Sequence, residues 1–153
     1  NILYGDNNQE ALSEMALQKV AEIAQASEFI NKLEDGFQSS VAQSGTNFSG
    51  GQKQRISIAR AIARKPDLLI FDDSFSALDF KTDKELRSAL ETELSDTTKI
   101  IVAQRVGTIK DVDQILVLED GKAVGLGSHR ELLETNAVYR EIAQSQLSEE
   151  ELK

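Results

Sequence analysis

Apolar positions recur at helical spacing in the first part of the chain and gather into short unbroken runs in the second. Leu12, Met15, Ala16, Val20, Ile23 and Ala24 lie on one face at the helical period, which predicts an amphipathic helix over about 8–25. Asp6, Asn7 and Asn8 offer it N-caps. A second, short helix is expected over Ser27 to Leu33, ended by the turn pair Asp35-Gly36. Residues 37–48 read as loop. Ser49 then caps a helix of about 15 residues with Ile56, Ala59, Ile62 and Ala63 facing inward. Pro66 stops it, because proline has no N–H to donate and restricts the residue before it.

After Pro66 the pattern changes. Leu68 to Phe71 is a short apolar run and reads as a buried strand. Leu86, Leu90 and Leu94 mark a helix over about 80–94. Ile100 to Ala103 and Ile115 to Leu118 are two more buried strands, and Asp120-Gly121 turns the last into a hairpin with a partner at about 122–126. Ser128 to Glu131 has capping-box spacing and opens a final helical pair over 128–134 and 137–147. Apolar strands alternating with helices predict an α/β class with a parallel sheet covered on both faces. Residues 1–65 carry no strand signal. The expected organisation is a helical subdomain over 1–65, part of an α/β core over 66–148 and a frayed tail over 149–153.

Composition narrows the function classes. The chain has 153 residues, 40% hydrophobic and 28% charged, which suits one soluble globular domain with a real core. Its aliphatic and aromatic runs stop at four residues, whereas a membrane span needs roughly 20. The absence of Cys excludes a disulfide scaffold, a thiol nucleophile and thiolate zinc sites, and fits a cytosolic domain. A net charge of -9 argues against a nucleic-acid partner. The first residue is Asn1, and residues 1–26 lack an apolar signal-peptide core, so the chain reads as a piece of a longer protein.

The charge is uneven. Residues 1–65 balance to zero, and residues 66–153 carry the whole excess of acid. Between Asn47 and Lys65 stand Lys53, Arg55, Arg60, Arg64 and Lys65 with no acid. Such a run is a solvated helix face or an environment for an anion near the helix start.

Three segments carry chemistry. Phe48-Ser49-Gly50-Gly51-Gln52-Lys53-Gln54-Arg55 opens a helix. The N–H groups freed at a helix start, the positive dipole end and two glycines together suit a phosphate, although Ser-Gly-Gly alone also serves as a flexible cap. Leu68 to Phe71 runs into Asp72 and Asp73 at a strand end, where ligands of open α/β sheets gather. Two acids there suit a Mg²⁺ and the polarisation of a water, or they are a solvated turn. Ser76-Ala77-Leu78-Asp79 follows, which alone is a helix N-cap.

Order and spacing give these segments more weight than any has alone. The chain resembles the distal half of an ATP-binding cassette, the P-loop NTPase-like nucleotide-binding domain of ABC transporters. Asn1 to Gly5 resembles the segment that opens the helical subdomain in exporters. Phe48 to Gln52 resembles the signature, Leu68 to Asp72 the Walker B strand, and Ser76 to Asp79 the D-loop. Ile101 to Arg105 resembles the switch strand, and Gly127 to Leu133 the close of the domain. The resemblance implies ATP and Mg²⁺ as cofactors. It implies Asp72 as the metal-side acid, and Phe48, Ser49, Gly50, Gly51, Gln52, Ser76, Ala77, Leu78 and Asp79 as nucleotide-binding.

Departures from the family pattern point further. The position after Walker B, a Glu in fully active members, is Asp73, one methylene shorter. A carboxylate misplaced by on the order of 1 Å can cost about 100-fold. The switch position, commonly His, is Gln104, which is neutral at every pH. The loop ahead of the signature has Gln43 where exporters often carry Glu. No Gly-x-x-x-x-Gly-Lys-Ser/Thr occurs in the chain, so the phosphate loop is missing and the chain alone is expected to be inactive.

Together the resemblance implies the degenerate half of a heterodimeric, multidrug-type exporter. Asp73 and Gln104 would be the catalytic positions of its own site, and the signature would serve its partner's ATP. The implied partners are the transmembrane domain of the same transporter and a second ABC subunit, at the cytoplasmic face of the membrane. Two other readings stay open: a soluble ABC ATPase of DNA repair or translation, and a silent regulatory module. His129 reads as a surface side chain, and Phe29, Phe37 and Tyr139 as packing residues.

Overall fold

The computed structural model describes residues 1–3, 13–148, 150 and 152. The chain divides into two units, residues 1–100 and residues 101–153, with the division inside a strand.

In the first unit, α1 spans Glu14–Ile23, α2 Ser27–Ile30, α3 Gly50–Ala63, β1 Leu68–Asp72 and α4 Phe80–Glu93. Ser13 caps α1, its Oγ accepting from Ala16 N at 3.2 Å. The expected caps Asp6, Asn7 and Asn8, and Leu12, lie outside the described residues. Val20, Ile23 and Ala24 are buried as the period predicts, but Met15 is 80% exposed. It sits in the first turn of α1, ahead of the stretch that packs on α3 and α4. The segment 37–48 holds two single-turn 3₁₀ helices rather than plain loop.

α3 ends as expected. Arg64 is its C-cap, Lys65 takes φ +48 and Pro66 follows. Ile56, Ala59, Ile62 and Ala63 are buried, joined by Ile58. Arg55 reaches back from α3: Nη1 donates to Gln25 O at 2.8 Å, and its guanidinium lies 4.8 Å from the Phe29 ring centre.

β2 spans Thr98–Val102 and pairs with β1 in a two-stranded sheet. The long connection through α4 is the kind a parallel pair requires. Leu69 and Phe71 are buried, while Leu68, Ile70, Ile100 and Val102 are exposed, Ile70 by 63%. Among the described residues, one face of β1 is covered.

In the second unit, α5 spans Val106–Ile109, β3 Ile115–Glu119, β4 Lys122–Gly127, α6 His129–Thr135 and α7 Ala137–Gln146. β3 and β4 form the expected antiparallel hairpin. Asp120 (φ +49) and Gly121 (φ +74) both have positive φ, the conformation that two-residue hairpin turns demand. A bulge between Val117 and Leu118 shifts the register. Ser128 and Glu131 form a capping box at α6. Val106, Ile115, Val117, Leu132, Tyr139 and Ala143 make this unit's core, with Leu152 of the expected tail packed against it.

His129 is half-buried rather than on the surface, with Nδ1 2.7 Å from the Tyr139 hydroxyl. Burial, and then the Lys110 charge, hold its pKa below the ordinary 6.5. Folding thus favours the neutral ring. That stabilisation is present above about pH 6.5 and is lost as pH falls through the lowered folded value. Urea unfolding at pH 7.5 and 5.5 should show a larger loss in the parent than in His129→Gln. Equal losses would assign the acid sensitivity to other groups.

Candidate functional site

α3 begins at a capped N-terminus. Ser49 is the N-cap: its Oγ accepts from Gln52 N at 3.3 Å, and its own N–H donates to Gln52 Oε1 at 2.9 Å. This capping box satisfies Ser49 N–H and Gln52 N–H and leaves those of Gly50 and Gly51 without an intrahelical acceptor. The first turn contains no acid. Two N–H groups at the positive end of a 14-residue helix fit a phosphate. Gln52 spends its side-chain oxygen on the cap. Phe48 packs behind, edge-on to Phe29 at 6.1 Å.

β1 ends in Asp72, and Asp73 turns the chain with φ +49, a conformation that Asp tolerates better than most residues. Both acids are exposed. Ser76 Oγ donates to Asp73 O at 3.1 Å and Ser74 Oγ to Asp72 O at 3.3 Å, closing the turn. Phe75 anchors it from below, buried against Phe71 at 5.2 Å. Asp79 ends the segment as N-cap of α4, accepting from Thr82 N at 3.0 Å and Thr82 Oγ1 at 2.7 Å. These bonds, the backbone one first, hold its carboxyl below the usual range.

The helix start and the acidic turn touch. A Cβ on Gly51 would stand 2.8 Å from Ala77 O, so only glycine fits there without displacement. A Cβ on Gly50 would meet Ala77 Cβ at an ordinary 3.5 Å. Gln54 spans the same junction. Its Nε2 donates to Asp73 O at 3.2 Å and Ser76 Oγ at 3.1 Å, and its Oε1 accepts from Ala77 N at 3.0 Å. A cleft of about 280 Å³ beside it is lined by Gln54, Ser57, Ala61, Ile70, Asp72 and Asp73.

Phe48 to Gln52, Asp72, Asp73 and Ser76 to Asp79 thus lie in one unit, and of them Gly50, Gly51, Asp73, Ser76, Ala77 and Leu78 meet at the junction. Gln104 belongs to the other unit, exposed, between β2 and α5. Its backbone O accepts from Gln146 Nε2 at 2.9 Å, and Gln146 Oε1 accepts from Val106 N at 2.8 Å. Sequence reasoning assigned no role to Gln54 or Gln146. A glutamine on a helix face reads as solvated, and its partners here are backbone groups far along the chain.

Among the described residues no three acids or histidines gather into a cluster that could hold a metal. Asp72 and Asp73, two exposed carboxylates side by side at a strand end, fit a Mg²⁺ held by one or two carboxylates and completed by phosphate oxygens.

The similarities of the chain agree with this chemistry. A family model described as ABC transporter matches residues 2–76. The ATP-dependent lipid A-core flippase of Aliivibrio fischeri is 40% identical over 149 residues, covering 97% of this chain and 25% of that protein. An ABC transporter ATP-binding protein of Mycobacterium bovis is 42% identical over 146 residues, covering 95% and 25%. The structure of a bacterial Atm1-family ABC exporter with ATP bound matches with a TM-score of 0.88 and 36% identity, over 97% of this chain and 25% of that one. The chain thus spans about a quarter of the length of these relatives. It belongs to the ATP-binding domains of ABC transporters, and its α/β fold is that of part of the P-loop NTPase-like cassette of an ABC exporter.

Proposed function

We propose that the chain is part of an ATPase subunit of an ABC exporter, at the cytoplasmic face of the membrane, and works on the transmembrane domain of the same transporter. Residues 1–65 are its helical subdomain and 66–148 the distal part of its core. In the assembly two cassettes meet head to tail. Ser49 to Gln52 and the Ser76–Asp79 turn face the ATP of a second ABC subunit. Asp72, Asp73 and Gln104 face the ATP held by the phosphate loop of their own parent chain. Bound Mg²⁺ would neutralise phosphate charge. Asp72 would hold it, and Asp73 would orient the water. With Asp for Glu and Gln for His, this own site holds ATP and turns over slowly, so the pair is a heterodimer with one degenerate site.

The observation that carries the reading is the junction itself. An anion-suited helix start is seated on the turn that displays the two acids, with Gly51 flush against Ala77 O. The names of the similar flippase and exporter support export over a soluble ATPase or a silent module.

The test is ATP turnover by the full-length protein with its partner. Silencing the partner's Walker B acid should lower turnover more than tenfold, and Asp73→Asn should change it less than twofold. Equal losses from the two would remove the degenerate assignment. The 153-residue chain alone, titrated with Mg-ATP by calorimetry, should show no micromolar dissociation constant, because it holds no phosphate loop. Micromolar binding would mean that Ser49 to Gln52 or Asp72 grips nucleotide unaided.

A further inference from the structure

We propose that Gln54 is a positioning residue that passes the state of one ATP site to the other, by tying the helix start at Ser49–Gly51 to the turn that carries Asp73. The proposal rests on the reading above, in which that helix start faces the partner's nucleotide and Asp73 faces the chain's own.

Gln54 lies one turn into α3, and helical side chains lean toward the N-terminus, so its carboxamide reaches the junction. The three bonds it makes need both polarities. Two are donated, to Asp73 O and Ser76 Oγ, and one is accepted, from Ala77 N. Among neutral side chains of this length only a carboxamide supplies donor and acceptor in one rigid plane. Ser76 Oγ in turn donates to Asp73 O, so Gln54, Ser76 and Asp73 close a ring of mutually polarised bonds.

The second tie is close approach. Gly51 has no room for a Cβ against Ala77 O, so the first turn of α3 lies near the turn only because residue 51 is glycine. The hydrogen bonds resist separation of the two. Movement of the helix start on meeting a phosphate is therefore transmitted to Ala77, Ser76 and the carbonyl of Asp73. Asp73 takes part in that movement from φ +49, inside the small left-handed region and away from the broad minima. Its carboxylate is aimed by a backbone that Gln54 holds at both ends of the turn.

The experiment is a double-mutant cycle in the full-length protein with its partner, the partner's Walker B acid being silenced so that only the Asp73 site hydrolyses. Ser49→Ala should lower that hydrolysis about tenfold with Gln54 present. In a Gln54→Leu background the same change should lower it less than twofold, because the connection is already cut. Gln54→Glu keeps the bond from Ala77 N and loses both donated bonds. It serves where Gln54→Leu does not fold, and should shrink the Ser49 effect likewise. A merely structural Gln54 would lower the folded fraction and scale both rates alike, leaving the Ser49 factor unchanged. That outcome overturns the proposal. The reciprocal heterodimer, with Asp73→Asn and an intact partner site, tests the underlying reading. If Ser49→Ala leaves partner-site hydrolysis untouched there, the helix start does not face that site and both inferences fall.

Discussion

Ser49→Ala combined with Gly51→Asp is expected to remove most ATPase activity of the full-length protein with its partner, a loss of more than tenfold. On the proposed reading the changes lie in the chain with the weaker catalytic residues, so a large loss is expected only if this helix start completes the partner's site. Two effects act together. An aspartate in the first turn offers its own carboxylate to the free N–H groups, and it repels a phosphate. Any side chain at Gly51 also meets Ala77 O at 2.8 Å and must push the D-loop turn away.

Single changes separate the two. Gly51→Ala adds no charge, so the loss it causes measures the steric part. Gly50→Ala meets only Ala77 Cβ at 3.5 Å. It should raise thermal stability slightly, since Ala exceeds Gly in helix propensity by about 1 kcal/mol. If Gly50→Ala still lowers turnover, the space over Gly50 is needed by a ligand rather than by the chain. Turnover within about twofold of the parent for the Ser49/Gly51 pair would show that the helix start serves neither site.

What was legible in the sequence is what is decided locally. Ser49 with Gln52, Asp79 before Thr82 and Ser128 with Glu131 are caps that close within three residues, and each starts the helix expected of it. Asp120-Gly121 fixes a hairpin because its turn needs positive φ at both positions. The segments proposed for the site, too, were visible as motifs. Their junction was not. Gln54 binds groups 19 to 23 residues away, and Gly51 is required by a carbonyl that spacing alone cannot place against it. The four-residue α5 was missed because no side-chain cap announces it.

At the chain's own site, Asp73→Glu and Gln104→His should act non-additively. Asp73→Glu lengthens the carboxylate toward the water, but Gln104 still supplies neither charge nor proton, so turnover should rise less than about threefold. It also carries a local cost. At φ +49 an Asp is better tolerated than a Glu, and the penalty for an unsuitable residue in the left-handed region is roughly 1–2 kcal/mol. Gln104→His alone should gain as little, because its imidazole would have no well-placed base to work with. The backbone there is braced by Gln146 from α7, so the side chain can be exchanged without loosening the segment. If both groups address the same γ-phosphate and water, the double variant should exceed the product of the singles, with a coupling of about 1 kcal/mol or more. The readout is ATP turnover with the partner's Walker B acid silenced. The strain at Asp73 enters both arms of the cycle equally and cancels, so a coupling near zero could not be blamed on the turn. It would mean that Asp73 and Gln104 do not share a catalytic task. An unaltered Asp73 site as fast as the partner's would mean that the shorter carboxylate already reaches the water.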